Sequence, residues 1–169
     1  MNKVEEWRMI PGYYDYFVSS NGRVFSLKRF IFLRGSPDAK GYLVVTLRRN
    51  NLKYVRKIHR LVALTFLKNP ELRRTVDHIN NRKNDNRLEN LRFATAKENG
   101  GNRKENKNST SGIKGVSFNK KFNKYQAYIT VDRVMFHLGW FTSLEDATKA
   151  RKEKANLVFG VFTNACERM

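Results

Sequence analysis

The stretch from Thr75 to Asn99, T-V-D-H-I-N-N-R-K-N-D-N-R-L-E-N-L-R-F-A-T-A-K-E-N, constrains the chain more than any other. A short apolar run ends on Asp77 and His78, a polar loop follows over Asn80 to Asn86, and Leu88 to Phe93 reads as a returning strand. Thr95 and Glu98 then form a capping box, in which the threonine hydroxyl covers the Glu98 amide and the carboxylate reaches back, so a helix opens there and carries Asn99 in its first turn. Asn90 and Asn99 lie 12 and 21 positions after His78 (90−78 and 99−78). An acid, a histidine and two amides on a strand–loop–strand–helix pattern have the makings of a single-metal phosphodiesterase site. Gly100-Gly101 directly after Asn99 are poor helix residues and keep that helix short.

Phosphodiester hydrolysis needs an activated water, neutralisation of the phosphate charge and stabilisation of the leaving oxygen. A neutral imidazole accepts a proton near pH 7, which suits His78. A hard divalent cation prefers oxygen donors, which Asp77 supplies as a carboxylate and Asn99 as an amide carbonyl. Asn90 is better suited to bridging the loop backbone and fixing the strand geometry around His78.

Charge points to the partner. The 169 residues carry 34 Lys+Arg against 15 Asp+Glu, a net charge of +19. So strong a single-sign field opposes compaction, and a polyanion such as double-stranded DNA explains it better than a solubilising surface, which would mix both signs. A membrane surface also attracts cations, but the sequence has no long apolar span, signal peptide or lipidation motif. The single cysteine, Cys166, permits no internal disulfide and no cysteine cage for a metal, which fits a reducing cytoplasm.

Upstream of the central stretch the chain reads as β-rich. Asn21-Gly22 between Tyr16-Phe17-Val18 and Arg23 to Leu27 is a hairpin signal, and Asn50-Asn51 turns a strand over Gly41 to Arg48 into Leu52 to Val55. The aromatic residues of this module are read as core rather than as stacking platforms for bases. Ile58, Leu61, Val62, Thr65 and Phe66 recur at helical spacing until Asn69-Pro70 stops them. His59 lies on this helix, either contacting phosphate and supporting the site or simply packed; packing is preferred.

Downstream, residues 102–112 are polar, basic and without apolar period, as in a linker. Strands are expected over Gly115 to Asn119, Tyr125 to Val131 and Met135 to Gly139. Ala127, Ile129 and Val131 would face inward, and Gln126, Tyr128 and Thr130 outward. A second capping box at Thr142–Glu145 opens a helix with Ala147 and Ala150 on the side that lies on the sheet. The polar face of such a sheet can enter a major groove. The expected class is therefore α+β.

The run V-D-H-I-N…D-N-R-L-E-N-L-R-F-A-T…E-N resembles the HNH nuclease motif, in the H-N-N variant of phage and intron-encoded homing endonucleases. That resemblance implies a ββα-metal core with His78 as general base, Asn90 as the structural asparagine, and Asp77 and Asn99 as metal ligands. The third motif position is Asn99 rather than histidine, so magnesium, with manganese second, is expected ahead of zinc. The helix I-H-R-L-V-A-L-T-F is similar to what precedes the motif in that family. E-W-R-M-I-P-G-Y…V-S-S-N-G-R-V-F-S-L-K-R is similar to a nuclease-associated modular domain. G-V-S-F…K-Y-Q-A-Y-I-T-V…H-L-G-W-F-T-S-L-E-D-A is similar to an Apetala2-type DNA-binding domain. The implied organisation is a β-rich module over residues 1–55, a nuclease domain over 56–104, a linker over 105–111 and a DNA-binding domain over 112–169.

Expected DNA contacts are Lys114, Ser117, Asn119, Lys121, Lys124, Gln126, Tyr128, Thr130, Arg133 and His137 in the last domain, with Arg82, Lys83, Arg103 and Lys104 nearer the centre. The plant Apetala2 sheets read guanine with arginines. Here Ser117, Asn119 and Thr130 stand at matching positions, which favours affinity and shape reading over sharp base readout. His137 serves equally as a DNA contact or as a satisfied surface histidine. The implied activity is a site-specific, metal-dependent DNA endonuclease, by default a monomer, with a non-catalytic DNA-binding protein on the same scaffold as the rival and an RNA-binding protein as a third reading.

Overall fold

A computed structural model describes residues 4–69, 71–105, 109 and 111–169. Its class is α+β, with four small antiparallel sheets and three helices among the described residues. Packing divides the chain into two units, Met1–Ala94 and Thr95–Met169. No helix among the described residues is long and apolar enough to cross a membrane.

In the first unit, β1 (Trp7–Ile10), β2 (Tyr13–Ser19), β3 (Val24–Ser26) and β4 (Ile31–Leu33) form a meander. The β2–β3 turn is the expected one at Asn21-Gly22, with Gly22 at φ 80°. A second sheet joins β5 (Ser36–Pro37), β6 (Leu43–Arg49) and β7 (Leu52–Lys57), and Asn50 and Asn51 both take positive φ in its turn, as asparagine tolerates. The Arg48 amide on β6 donates to the Tyr16 hydroxyl on β2 at 3.0 Å, joining the two sheets.

β7 runs straight into α1 (Ile58–Phe66), whose N-cap Lys57 supplies no side-chain cap. Packing therefore anchors α1, through buried Ile58, His59, Leu61, Val62 and Ala63. One core combines Ile10, Tyr13, Tyr16, Val18 and Val24 from the meander with Val45 and Leu47 from β6, Ile58, Leu61 and Val62 from α1, and Leu91. At roughly 1.5–3 kcal/mol for each large apolar side chain, that shared interior is the main source of stability in this unit. The two-stranded sheet of β8 (Thr75–His78) and β9 (Leu91–Ala94) completes it. The functional partition suggested at residue 55 is thus not a break in the core.

The second unit begins with α2 (Ala96–Gly101). A three-stranded antiparallel sheet follows, β10 (Val116–Asn119), β11 (Lys124–Val131) and β12 (Val134–Phe141), backed by α3 (Leu144–Phe159). Most of the linker expected over 105–111 lies outside the described residues. Two expectations shift. The cap of α3 is Ser143, whose hydroxyl accepts from the Asp146 amide at 3.0 Å, one residue beyond the expected Thr142–Glu145 box. The buried line of α3 is Ala147, Arg151, Ala155 and Phe159, a four-residue spacing that leaves Ala150 half-buried at its margin.

Candidate active site and nucleic-acid interface

β8 and β9 pair Asp77 with Arg92 and His78 with Leu91. β9 begins later than the sequence suggests. Leu88–Asn90 is a 3₁₀ turn rather than strand, and the reason is Asn90. Its buried amide points into the loop, where Nδ2 donates to the Asp85 carbonyl at 2.8 Å and Oδ1 accepts from the Asn80 amide at 2.9 Å. The Ile79 amide donates to the Asn90 carbonyl at 2.9 Å. A second layer of bonds runs through Asp85, which accepts from Asn80 Nδ2 at 2.7 Å and from Arg87 Nε at 2.8 Å. The Arg87 hydrogen bonds hold its carboxyl down to about 2. The loop is consequently a fastened cradle between the two strands.

Asp77 is 4% exposed, and its Oδ2 accepts from Arg92 Nε at 2.9 Å and Nη2 at 2.8 Å. Burial of a carboxylate is tolerable only with such a partner, and β9 supplies it in Arg92. His78 is also buried. Its Nε2 lies 3.3 Å from Asn86 Oδ1, and its ring meets His59 at a centroid distance of 4.8 Å and Tyr42 at 5.9 Å. Tyr42 in turn contacts His59 at 5.0 Å and carries the Lys57 ammonium 4.3 Å from its ring centre. Burial lowers the basicity of His78. It lowers that of His59 to about 3, with the neighbouring His78, Lys57 and Arg60 adding to the effect. A neutral His78 is what a proton acceptor requires.

His59 is thus buried, and it packs on His78 directly. Sequence reasoning gave neither that contact nor Asn86. The weak signal for His59 was its place beside Ile58 at the edge of the buried stripe of α1. Asn86 carried none, because the bonding of a loop amide depends on the loop's path.

Asn99 belongs to the second unit, where its amide donates to the Thr95 carbonyl at 3.0 Å in the first turn of α2 and its side chain is exposed. The capping box is formed in both directions, Thr95 N to Glu98 Oε2 at 2.7 Å and Glu98 N to Thr95 Oγ1 at 3.2 Å. The first unit therefore gathers Asp77, His78 and Asn90 within one hairpin. Among the described residues no group of three His, Cys, Asp or Glu is placed to hold a metal. The candidate donors, one carboxylate and one amide, do not make a closed zinc cage. They fit a hard divalent ion that keeps water and substrate oxygens as its other ligands.

On the second unit's sheet, register puts Ser117 opposite Gln126, and Tyr128 opposite His137, on the face away from α3; Thr130 shares that face and is exposed. Trp140, opposite Gln126, lies there too, 5.4 Å from the His137 ring and 5.6 Å from Phe122. Neither Trp140 nor Phe122 was among the expected contacts, although both are exposed. Lys121, Lys124 and Arg133 are exposed around the strand turns. Asn119 Oδ1 accepts from the Lys121 amide at 3.0 Å, so it caps the turn. A cleft of about 1050 Å³ gathers Lys97, Arg103, Lys104, Ser117, Thr130 and Arg133. In the first unit Arg82 is exposed in the loop, while Lys83 Nζ donates to the Lys40 carbonyl at 2.9 Å.

Lys114 requires correction. Its ammonium is half-buried, donating to Glu167 Oε2 at 2.7 Å and to the Gly101 carbonyl at 2.8 Å, and Arg151 pairs with the same carboxylate at 2.8 Å. A lysine so engaged holds the unit together and is not available to phosphate.

A hairpin with an Asp-His pair, a loop fastened by an asparagine and a following capped helix are the parts of a ββα nuclease core, and comparison with known proteins agrees. Residues 5–48 match the family model of the NUMOD4 motif, the nuclease-associated module the N-terminal sequence resembles. An uncharacterized HNH endonuclease of Acanthamoeba polyphaga mimivirus is 32% identical over 117 residues, 69% of this chain and 36% of the relative. The DNA endonuclease I-HmuI of Bacillus phage SP01 is 35% identical over 95 residues, 56% of this chain and 55% of the relative. The solved structure described as DNA binding and cleavage by the HNH homing endonuclease I-HmuI matches with a TM-score of 0.53 and 36% identity, over 56% of this chain and 55% of that one. The chain thus spans about a third of the first relative's length and about half of the second's.

Proposed function

We propose that this protein is a DNA endonuclease of the HNH homing type that hydrolyses phosphodiester bonds with one divalent metal ion. The observation that carries the reading is the buried His78, its basicity lowered by burial, set at the end of β8 beside the Asp77–Arg92 pair and next to a loop fastened by Asn90. His78 takes a proton from the attacking water as the oxygen bonds to phosphorus. Asp77 and Asn99 are the residues that would hold the ion, magnesium first and manganese second. Such an ion supplies charge stabilisation to the phosphate and to the departing 3′ oxygen. Asn90 keeps the loop, and with it the strand ends, in register. The products carry 5′-phosphate and 3′-hydroxyl ends.

Double-stranded DNA is the substrate that the +19 charge favours. The Apetala2-like sheet of the second unit supplies affinity through Lys121, Lys124 and Arg133 around its turns and Gln126, Tyr128, Thr130 and His137 on its outer face. Arg103 and Lys104 add phosphate contacts from the cleft. The protein acts as a monomer that cuts one strand at a time.

The test is a supercoiled-plasmid assay with magnesium, manganese or chelator, run with the wild type and His78→Ala on a plasmid library containing the target. Metal-dependent conversion to open circle that disappears in the variant, with a gel shift retained, is expected. Cleavage by His78→Ala at the wild-type rate would reject His78 as the base. Tight duplex binding with no cleavage by the wild type would make the protein a non-catalytic binder.

A further inference from the structure

His78 is an effective base only if its proton sits on the nitrogen facing away from the water. We propose that Asn86, seated against Gly22 of the β2–β3 turn, is the positioning residue that fixes the tautomer and orientation of His78, so that the N-terminal hairpin is a working part of the active site. This inference rests on the reading of His78 as the general base.

The contact with the ring is direct. Asn86 Oδ1 lies 3.3 Å from His78 Nε2, and both residues are buried. An amide oxygen only accepts, so the bond places the imidazole proton on Nε2 and the lone pair on Nδ1. A buried acceptor favours the tautomer that satisfies it. Two rings that also touch each other, His59 at 4.8 Å and Tyr42 at 5.9 Å, pack against the imidazole from one side and help set its tilt.

Asn86 in turn is held from the N-terminal side. A Cβ at Gly22 would lie 2.8 Å from Asn86 Cβ, closer than real carbon contacts allow, and 3.0 Å from its carbonyl oxygen. Gly22 also has φ 80°, so a side chain there is excluded twice over. The turn is stiffened by the buried Ser19, whose hydroxyl accepts from the Arg23 amide at 3.0 Å. It is tied to the loop by the Leu88 amide, which donates to the Ser20 carbonyl at 2.7 Å. Gly22 thus forms the wall against which Asn86 sits, and a displacement of this turn moves the amide that orients His78.

The experiment is ¹⁵N NMR of histidine-labelled, metal-free protein without DNA, with the His78 signals assigned by their loss in His78→Ala, alongside steady-state plasmid nicking. The wild type should show the proton on Nε2. Asn86→Leu should show both tautomers and lower kcat by about ten- to a hundredfold with KM unchanged. Asn86→Asp, which keeps the acceptor but adds a negative charge that favours the imidazolium, should show the Nε2–H tautomer once the pH is raised far enough to make the ring neutral. Gly22→Ala should shift the tautomer balance toward that of Asn86→Leu. Gly12→Ala, at a comparable φ of 77° but with only the Arg49 guanidinium 3.6 Å away, should not. If Gly22→Ala fails to fold, the Asn86 pair decides. A wild-type proton on Nδ1, or an Asn86→Leu variant with unchanged tautomer, would overturn the proposal. Absence of nicking in every protein, with the tautomer responding as stated, would reject the nuclease reading and leave the positioning role standing.

Discussion

His59 should make the first unit acid-labile. Its ordinary pKa of 6.5 falls to about 3 in the fold, because burial disfavours the imidazolium and His78, Lys57 and Arg60 repel it more than Asp38 attracts it. Above pH 6.5 both folded and unfolded chains carry a neutral His59, and its titration costs nothing. As pH falls the unfolded chain takes up a proton that the folded one refuses, so stability is lost from about pH 6.5 downward, until the folded group also titrates near 3. At about 1.36 kcal/mol per pH unit, the loss attributable to His59 at pH 5 is about 2 kcal/mol. The assay is urea unfolding at pH 7 and pH 5 of the wild type and His59→Phe, both carrying Trp140→Phe so that Trp7 reports on the first unit alone. Phenylalanine keeps an aromatic ring at that position and cannot titrate. Asp38 stays ionised across this range, its carboxyl held low by the Tyr42 and Lys40 amides, and the contribution of His78 remains in both proteins. His59→Phe should therefore lose about 2 kcal/mol less than the wild type between the two pH values. Equal losses in the two proteins would refute the assignment of a buried, neutral His59.

Three further outcomes follow from the same geometry. Glu167→Gln removes the anion shared by Lys114 and Arg151 and should destabilise the second unit by about 3–5 kcal/mol, read from Trp140 fluorescence in a Trp7→Phe background. Arg133→Ala and Lys104→Ala should each lower the slope of log K against log salt in DNA-binding titrations by about one, while Lys114→Met leaves that slope unchanged. Asn90→Ala removes the side-chain partner of the half-buried Asp85 carbonyl and of the Asn80 amide and should cost about 1–3 kcal/mol of stability in the first unit by urea unfolding.

Local patterns were legible where one residue type dictates one backbone state. Asn21-Gly22 and Asn50-Asn51 announce their turns because few other pairs accept those dihedrals, and Thr95 with Glu98 announces α2. Side-chain alternation on β11 was equally plain, with Ala127 and Ile129 buried as expected. The misses share a cause, which is that the deciding partner lies far away in sequence. Leu88–Asn90 carries a strand-like pattern, yet the inward turn of the Asn90 amide makes it a 3₁₀ turn. Lys114 reads as one more surface cation until Glu167, 53 residues later, claims it. His59 is ambiguous on its helix until His78 and Tyr42 close around it.

Modules recognised by sequence need not be modules of packing. The segment that matches the NUMOD4 motif, residues 5–48, contributes Ile10, Tyr13, Tyr16, Val18, Val24, Val45 and Leu47 to the core that also holds Ile58, Leu61 and Val62 of α1 and Leu91 of β9. Each of those apolar groups would face water if its neighbours were cut away, at roughly 1.5–3 kcal/mol per large side chain. Several together exceed the 5–15 kcal/mol that ordinarily holds a domain folded. Leu91 stands opposite His78 in the β8–β9 ladder, so the hairpin that carries His78 is built on that same interior. Here the N-terminal strands, the preceding helix and the hairpin that carries His78 stand or fall as one cooperative unit.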